Sequence, residues 1–248
     1  MVYLRGDMDS KSLRMITSFI ALLPDGPDLS TVPVIYLLHG QSDNCSGWTR
    51  YTAIERYART RDVAIIMPEV QRSYYTDMAY GVNYFKYVSQ ELPAFCQRIF
   101  GLSKKRELNF VMGLSMGGYG ALKCALNKPE QYAGCGAFSA VTDIRRLIGN
   151  AQEEWWKHEL IGMFGPSLTV PPEGDLFALA EKADPAAMPR FFMTCGEQDT
   201  LYPEDTRMAE LLESRGCEIE YRHWEGAHSW DLWEKSFALA MDALLPKK

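Results

Sequence analysis

No stretch of this chain approaches the roughly 20 consecutive apolar residues that cross a bilayer, so a helical membrane anchor is not expected. The opening MVYLRGDMDSKSLRMITSF interleaves charges and lacks the apolar centre of a secretory signal, which makes a cytoplasmic protein the default expectation. Basic charge is not in excess: 26 Lys and Arg against 32 Asp and Glu leave a formal net charge of −6, the wrong sign for a nucleic-acid face. The six cysteines include no C-x-x-C pair and no zinc-like spacing. Several sit in apolar runs such as GCGAF and FFMTCG, so buried free thiols are expected rather than a disulfide framework or a metal site. No internal repeat, low-complexity tract or linker is visible. Histidine is scarce, with four copies, which leaves few candidates for a general base.

What is present is an ordinary globular balance, 47% hydrophobic and 23% charged over 248 residues, enough for one mixed α/β domain. Short apolar runs alternate with longer segments of helical period. Residues 15–24 alternate as a strand, in an antiparallel opening ribbon. Residues 32–40, 63–69, 108–113, 134–140 and 190–199 read as buried strands, the continuous apolar runs of a parallel sheet. A further strand is expected in EIEYRHWEG. Helices are expected after most of them, including 84–100 with a kink at Pro93, and a last one from about Ser229 to Leu245. Strands alternating with helices imply a mostly parallel sheet covered on both faces. Residues 144–189, with adjacent Trp155 and Trp156 and several prolines, interrupt the rhythm and read as a cap-like insertion in a single domain spanning 1–248.

The segment ELNFVMGLSMGGYGALKCAL (107–126) surrounds Ser115 with Gly113, Gly117 and Gly118, and Gly120 follows. Its GLSMG fits G-x-S-x-G, a strained strand-to-helix turn that exposes a nucleophilic hydroxyl at the carboxyl end of a sheet. The pattern alone is common. The buried strand before it and the helix after it favour a nucleophile over a glycine-rich anion-binding helix start.

A serine hydroxyl needs a base. His39 ends a buried strand, His158 fits a partly exposed site in the insertion, and His223 shares a strand face with Ile219 and Tyr221 and fits packing. His228, between the last strand and the last helix, is where a base reaches across the sheet edge to Ser115. The orienting carboxylate should lie between serine and histidine in the chain. Asp199, after the sixth apolar strand, is favoured. Asp143, one strand earlier, is the rival, and Asp231 suits the first turn of its helix. For the oxyanion of acyl transfer, the backbone N–H of Met116 and that of Gln41 are the candidate donors. Gly40 lets the Gln41 loop bend close, and His39 braces it.

With these pieces placed, the chain resembles the esterase D and tributyrin-esterase branch of the α/β-hydrolases, which also holds S-formylglutathione hydrolases and acetyl or feruloyl esterases. The resemblance rests on SKSLRMITSFIALLP, YLLHGQSDN, SYYTDMAYGVNYFKYVSQELP, GLSMGGYGAL, CGEQDTLY and GAHSWDLW, and covers nearly the whole chain. It implies an α/β-hydrolase fold, a Ser115–Asp199–His228 triad with Gln41 and Met116 as oxyanion hole, and cofactor-free hydrolysis of a small-molecule ester through an acyl-enzyme. Such relatives prefer short acyl groups, often on aryl or sugar carriers, and often assemble as homo-oligomers. Formylglutathione hydrolases of this group tend to carry histidine before the nucleophile, where this chain has Leu114. Trp48, Tyr74, Tyr75, Trp155, Trp156 and Trp230 are the aromatic residues from which acyl and alcohol pockets would be lined, Trp48 and Trp230 foremost.

Overall fold

Val, Ile, Leu and Phe supply unbroken apolar runs of five or six residues, a length that suits strands covered on both sides. The computed structural model describes residues 1–246 and turns these runs into one sheet of eight strands. They are β1 (Val2–Ser10), β2 (Met15–Leu23), β3 (Val34–Leu38), β4 (Ala64–Pro68), β5 (Asn109–Leu114), β6 (Gly134–Phe138), β7 (Arg190–Gly196) and β8 (Ile219–Trp224), in spatial order β1-β2-β4-β3-β5-β6-β7-β8. β1 and β2 form an antiparallel ribbon, Ser10 opposite Met15 and Val2 opposite Leu23, and β2 runs antiparallel to β4. Every later pairing is parallel.

Among the described residues ten α-helical segments accompany the sheet: α1 (Gly47–Tyr51), α2 (Ile54–Arg61), α3 (Tyr84–Lys86), α4 (Leu92–Phe100), α5 (Met116–Asn127), α6 (Ile144–Gly149), α7 (Glu154–Phe164), α8 (Leu176–Glu181), α9 (Tyr202–Ser214) and α10 (Trp230–Leu244). Alternation along the strands splits the core in two. Val34, Tyr36, Leu38 and Val111 face a layer built from α4, α5, α8 and α9. Ile35, Leu37, Phe110 and Met112 face α1, α2 and α10. The kink expected at Pro93 takes the form of a π-helical turn, Tyr87–Glu91, immediately before α4. There the Leu92 N–H reaches back to Tyr87 O, a wider turn that accommodates the proline's missing donor.

The 144–189 stretch contains α6, α7 and α8. α7 is anchored on the loop that follows β4, where the N–H groups of Ala79 and Tyr80 donate to Met163 O and Gly162 O, each at 2.9 Å. Arg72 of that loop reaches Glu159 at 2.9 Å and lies over the Trp155 and Trp156 rings. All six cysteines are buried free thiols. Among the described residues no helix is long and apolar enough to cross a membrane, and no group of three or more His, Cys, Asp or Glu is arranged to hold a metal ion.

Candidate active site

Leu114 closes β5 and Met116 opens α5, leaving Ser115 alone to turn the chain. It does so at φ 52° and ψ −118°, a sparsely populated conformation for a residue with a side chain. Such strain costs on the order of 1–3 kcal/mol and persists only where the surroundings over-determine it. Here the Ser115 N–H donates to Phe138 O at 2.9 Å, and its carbonyl accepts from Tyr119 at 3.1 Å and Val141 at 3.2 Å. The flanking glycines are required by close approach. A Cβ on Gly113 would lie 2.3 Å from Gly117 O, one on Gly117 2.4 Å from Leu38 O, and one on Gly118 2.7 Å from the Ala140 methyl.

Asp199 sits in the turn after β7. Its Oδ1 accepts the Leu201 N–H at 3.0 Å and its Oδ2 lies 2.7 Å from His228 Nδ1. Burial pushes this carboxyl up, but hydrogen bonds from His228, Leu201 and Ser139 prevail and hold it below the ordinary aspartate value. The acid is fully covered, while the His228 side chain is 38% exposed and packs edge-on against Trp233, centroids 4.7 Å apart. With Nδ1–H donated to Asp199, Nε2 remains as the acceptor of the ring.

The apposition of these two loops rests on a pair of glycines that sequence reading passed over. A Cβ on Gly196 would lie 2.2 Å from Gly226 O, and Gly226 itself has φ 151°. Gln198 clamps the pair, donating its N–H to Gly226 O at 3.0 Å and accepting the Gly226 N–H on Oε1 at 2.7 Å. The "CGEQD" and "EGAH" stretches carried that signal, one glycine closing β7 and the other two residues past the end of β8.

The rival residues are engaged elsewhere. Asp143 caps α6 by accepting the Arg146 N–H at 3.0 Å, and its other oxygen faces Arg207 at 3.6 Å. His158 is exposed beside Glu154. His223 does not pack inward as its strand face suggests: β8 is an edge strand, and the ring is exposed and paired with Glu197 at 2.9 Å.

Across from His228, the loop after β3 lies against the serine, with the Cβ position of Gly40 3.7 Å from Ser115 Cβ. His39 is buried. The Val70 N–H donates to its Nε2 at 3.2 Å, so Nδ1 carries the proton and donates to Gly40 O at 2.7 Å. Desolvation holds this imidazole below its ordinary pKa, against Glu69 and Asp43, in keeping with a neutral ring. Gly40 O also accepts from Asp43 N at 3.2 Å. In a trans peptide C=O and N–H are antiparallel, so two donors on Gly40 O commit the Gln41 N–H to the opposite side. Met116, first residue of α5, has an N–H with no intrahelical acceptor.

The aromatic residues divide sharply. Trp48 and Tyr75 are core, 1% and 0% exposed, a correction to their expected place in a pocket lining. The Trp48 indole N–H donates to Leu38 O at 3.2 Å, and the Tyr75 hydroxyl to His39 O at 2.9 Å, so both rings brace the loop instead. Tyr74 is buried too and donates to Gln41 Oε1 at 3.0 Å. Trp156 is half-buried against Tyr74, Trp155 is 53% exposed, and Trp230 is half-buried between Trp48 and Tyr51.

Comparison with known proteins gives the family of the chain. The family described as "Putative esterase" matches residues 10–244. An acetyl esterase of Caldicellulosiruptor saccharolyticus is 31% identical over 94% of both chains. Among solved structures, FphF, a fluorophosphonate-binding serine hydrolase of Staphylococcus aureus, superposes with a TM-score of 0.90 at 30% identity over 99% of both chains. The S-formylglutathione hydrolase FrmB of the same organism does so with a TM-score of 0.86, also at 30% identity over 99% of both chains. The chain belongs to this esterase family, an esterase D-like branch of the α/β-hydrolase fold.

Proposed function

We propose that this esterase cleaves short-chain carboxylic esters, acetyl esters foremost, through an acyl-enzyme on Ser115. One observation carries the reading: a serine held in a strained turn at the end of β5, with a buried Asp199 bonded to His228 beyond the ends of β7 and β8 in the same sheet. In the proposed cycle Ser115 Oγ attacks the ester carbonyl carbon while His228 Nε2 takes its proton. Asp199 stabilises the imidazolium, and the N–H groups of Gln41 and Met116 receive the oxyanion. The carbon–oxygen bond to the alcohol breaks as His228 protonates the leaving oxygen. Water then gives a proton to His228 and attacks the acyl carbonyl, and Ser115 regains its proton as the acid departs.

The acetyl esterase relative supports a small acyl group. Trp155, Trp156 and Trp230, with surface left to offer, support an aryl or sugar-borne ester at the entrance. Likeness to FrmB supports a second reading, a thioesterase on formylglutathione-type substrates, from which Leu114 is a departure. The test is a rate panel with Ser115→Ala as blank: p-nitrophenyl acetate, butyrate and octanoate, methyl ferulate, an acetylated sugar and S-formylglutathione. Acetate or butyrate should lead in kcat/KM, with a fluorophosphonate labelling the wild type alone. The thioester leading would promote the second reading. Unchanged turnover in Ser115→Ala, expected to lose several orders of magnitude, would remove the serine mechanism.

A further inference from the structure

α5 carries two features that the G-x-S-x-G turn does not require: Gly120, and a lysine, Lys123, with no exposed surface at all. They lie three residues apart, on one face of the helix. That face meets Tyr75. A Cβ on Gly120 would lie 2.5 Å from Tyr75 Cδ2, so only glycine leaves room for this ring against α5. Lys123 Nζ donates to Tyr75 O at 3.1 Å and lies over the Phe85 and Tyr119 rings, 4.7 and 5.6 Å from their centroids. Desolvation lowers its pKa to about 8, with Glu173 and Asp77 opposing, which keeps most of the charge at neutral pH.

The segment gripped in this way is strained. Tyr74 and Tyr75 both have φ 49°, and Gln71 has φ 52°. Left-handed backbone at consecutive tyrosines needs outside support. Lys123 supplies it from α5 at Tyr75 O, while within the segment Thr76 Oγ1 donates to Tyr74 O at 2.9 Å. The result is that two adjacent hydroxyls reach the loop after β3, Tyr74 at Gln41 Oε1 and Tyr75 at His39 O. From there the His39 ring holds Gly40 O and thereby the Gln41 N–H.

We propose that Tyr75, seated by Gly120 and Lys123, is a positioning residue for the oxyanion-binding peptide. It touches no substrate and acts through the His39 carbonyl, holding the Gln41 donor where charge develops in the transition state. This rests on the acyl-enzyme reading above, in which Gln41 is an oxyanion donor.

The test uses Tyr75→Phe, which keeps the ring and removes one hydroxyl, and Lys123→Met, which keeps the stem and removes the donor. A displaced donor should lower kcat on p-nitrophenyl acetate by ~10- to 100-fold with KM within twofold. The Ki of a trifluoromethyl ketone, whose tetrahedral adduct places an oxyanion in the same site, should rise by the same factor. Active-site titration with a fluorophosphonate counts competent molecules, so partial unfolding is read as lost titre and corrected for. Wild-type kcat and Ki per titrated site in Tyr75→Phe would overturn the proposal. So would losses shared equally by kcat and the affinity for a ground-state product acid. Ser115→Ala run alongside separates the two claims: if it retains turnover the acyl-enzyme reading fails, whereas if it is dead and Tyr75→Phe is normal only the positioning role fails.

Discussion

The two sides of Ser115 are built on opposite terms. On one side His228 hangs from a loop after an edge strand, more than a third of its side chain open to solvent, tied to the fold by one bond to Asp199 and an edge-on contact with Trp233. On the other, His39, Tyr74, Tyr75 and Lys123 are buried and joined to the loop by hydrogen bonds that end on Gly40 O and on the Gln41 side chain. The contrast follows from what each side is proposed to do. A general base must gain and lose a proton in every half-reaction and exchange it with a leaving alcohol and an entering water, so access matters. Oxyanion donors act by being in place beforehand, and any reorganisation at the moment of reaction subtracts from their effect.

The sharpest way to probe the first side is to compare two carboxylates. Asp199→Asn should lower kcat about 1,000- to 10,000-fold, because an amide in its place favours the wrong imidazole tautomer. Asp143→Asn should leave kcat within a few-fold, since Asp143 caps α6 and asparagine caps as well. Steady-state kinetics of the pair on p-nitrophenyl acetate decides it, and a reversed ranking would move the acid to Asp143.

The rigid side can be pushed out of place through its contact with the serine turn. Gly117→Ala would bring a methyl to 2.4 Å from Leu38 O and 2.8 Å from His39 O, both backbone atoms with nowhere to go. Overpacking of this kind costs roughly 1–3 kcal/mol, or about 3–10 °C in Tm at this chain length. The survivors should also lose kcat more than they raise KM. Thermal unfolding followed by kinetics on the folded fraction measures both.

The smallest effect concerns Asp205, in the first turn of α9, the helix that follows the Asp199 turn. It is fully buried, with Oδ2 accepting the Ala140 N–H at 3.0 Å and Oδ1 without a partner. Desolvation raises its pKa well above 3.8, with Glu204 and Asp199 adding to the rise. A raised carboxyl contributes its stability fully below the unfolded value and loses it as pH climbs through the folded one. Asp205→Asn keeps an acceptor for Ala140 and has no such loss. It should match the wild type in Tm near pH 4 and exceed it by a margin that widens as pH rises towards 8. A constant difference across that range would show that Asp205 does not titrate with folding.

Much of this architecture could be read from residue order because the signals were local. Apolar runs of strand length, separated by helical periods, place β3 to β7, and glycines at fixed offsets mark the turn at Ser115. Pro93 announced a disturbance in its helix but not its form, since a π-turn and a bend satisfy the same missing N–H. The aromatic residues were harder. Trp48 and Tyr75 differ from Trp155 only in what covers them, and cover comes from segments distant in the chain. Lys123, set among GYGAL and CAL, was a visible oddity in an apolar helix, yet its partner, Tyr75 O, is 48 residues away.

By itself the sequence determined the parallel sheet, the strained serine and the short list of bases, because four histidines and one G-x-S-x-G leave few combinations. Tertiary structure alone decided which carboxylate meets His228, through a backbone approach so close that a Cβ on Gly196 would lie 2.2 Å from Gly226 O. It alone also decided that the tyrosines brace the loop rather than line a pocket. The physical reason is the same in both cases: local pattern specifies which face a residue presents, whereas the partner on that face is set by packing between elements that the chain brings together only on folding.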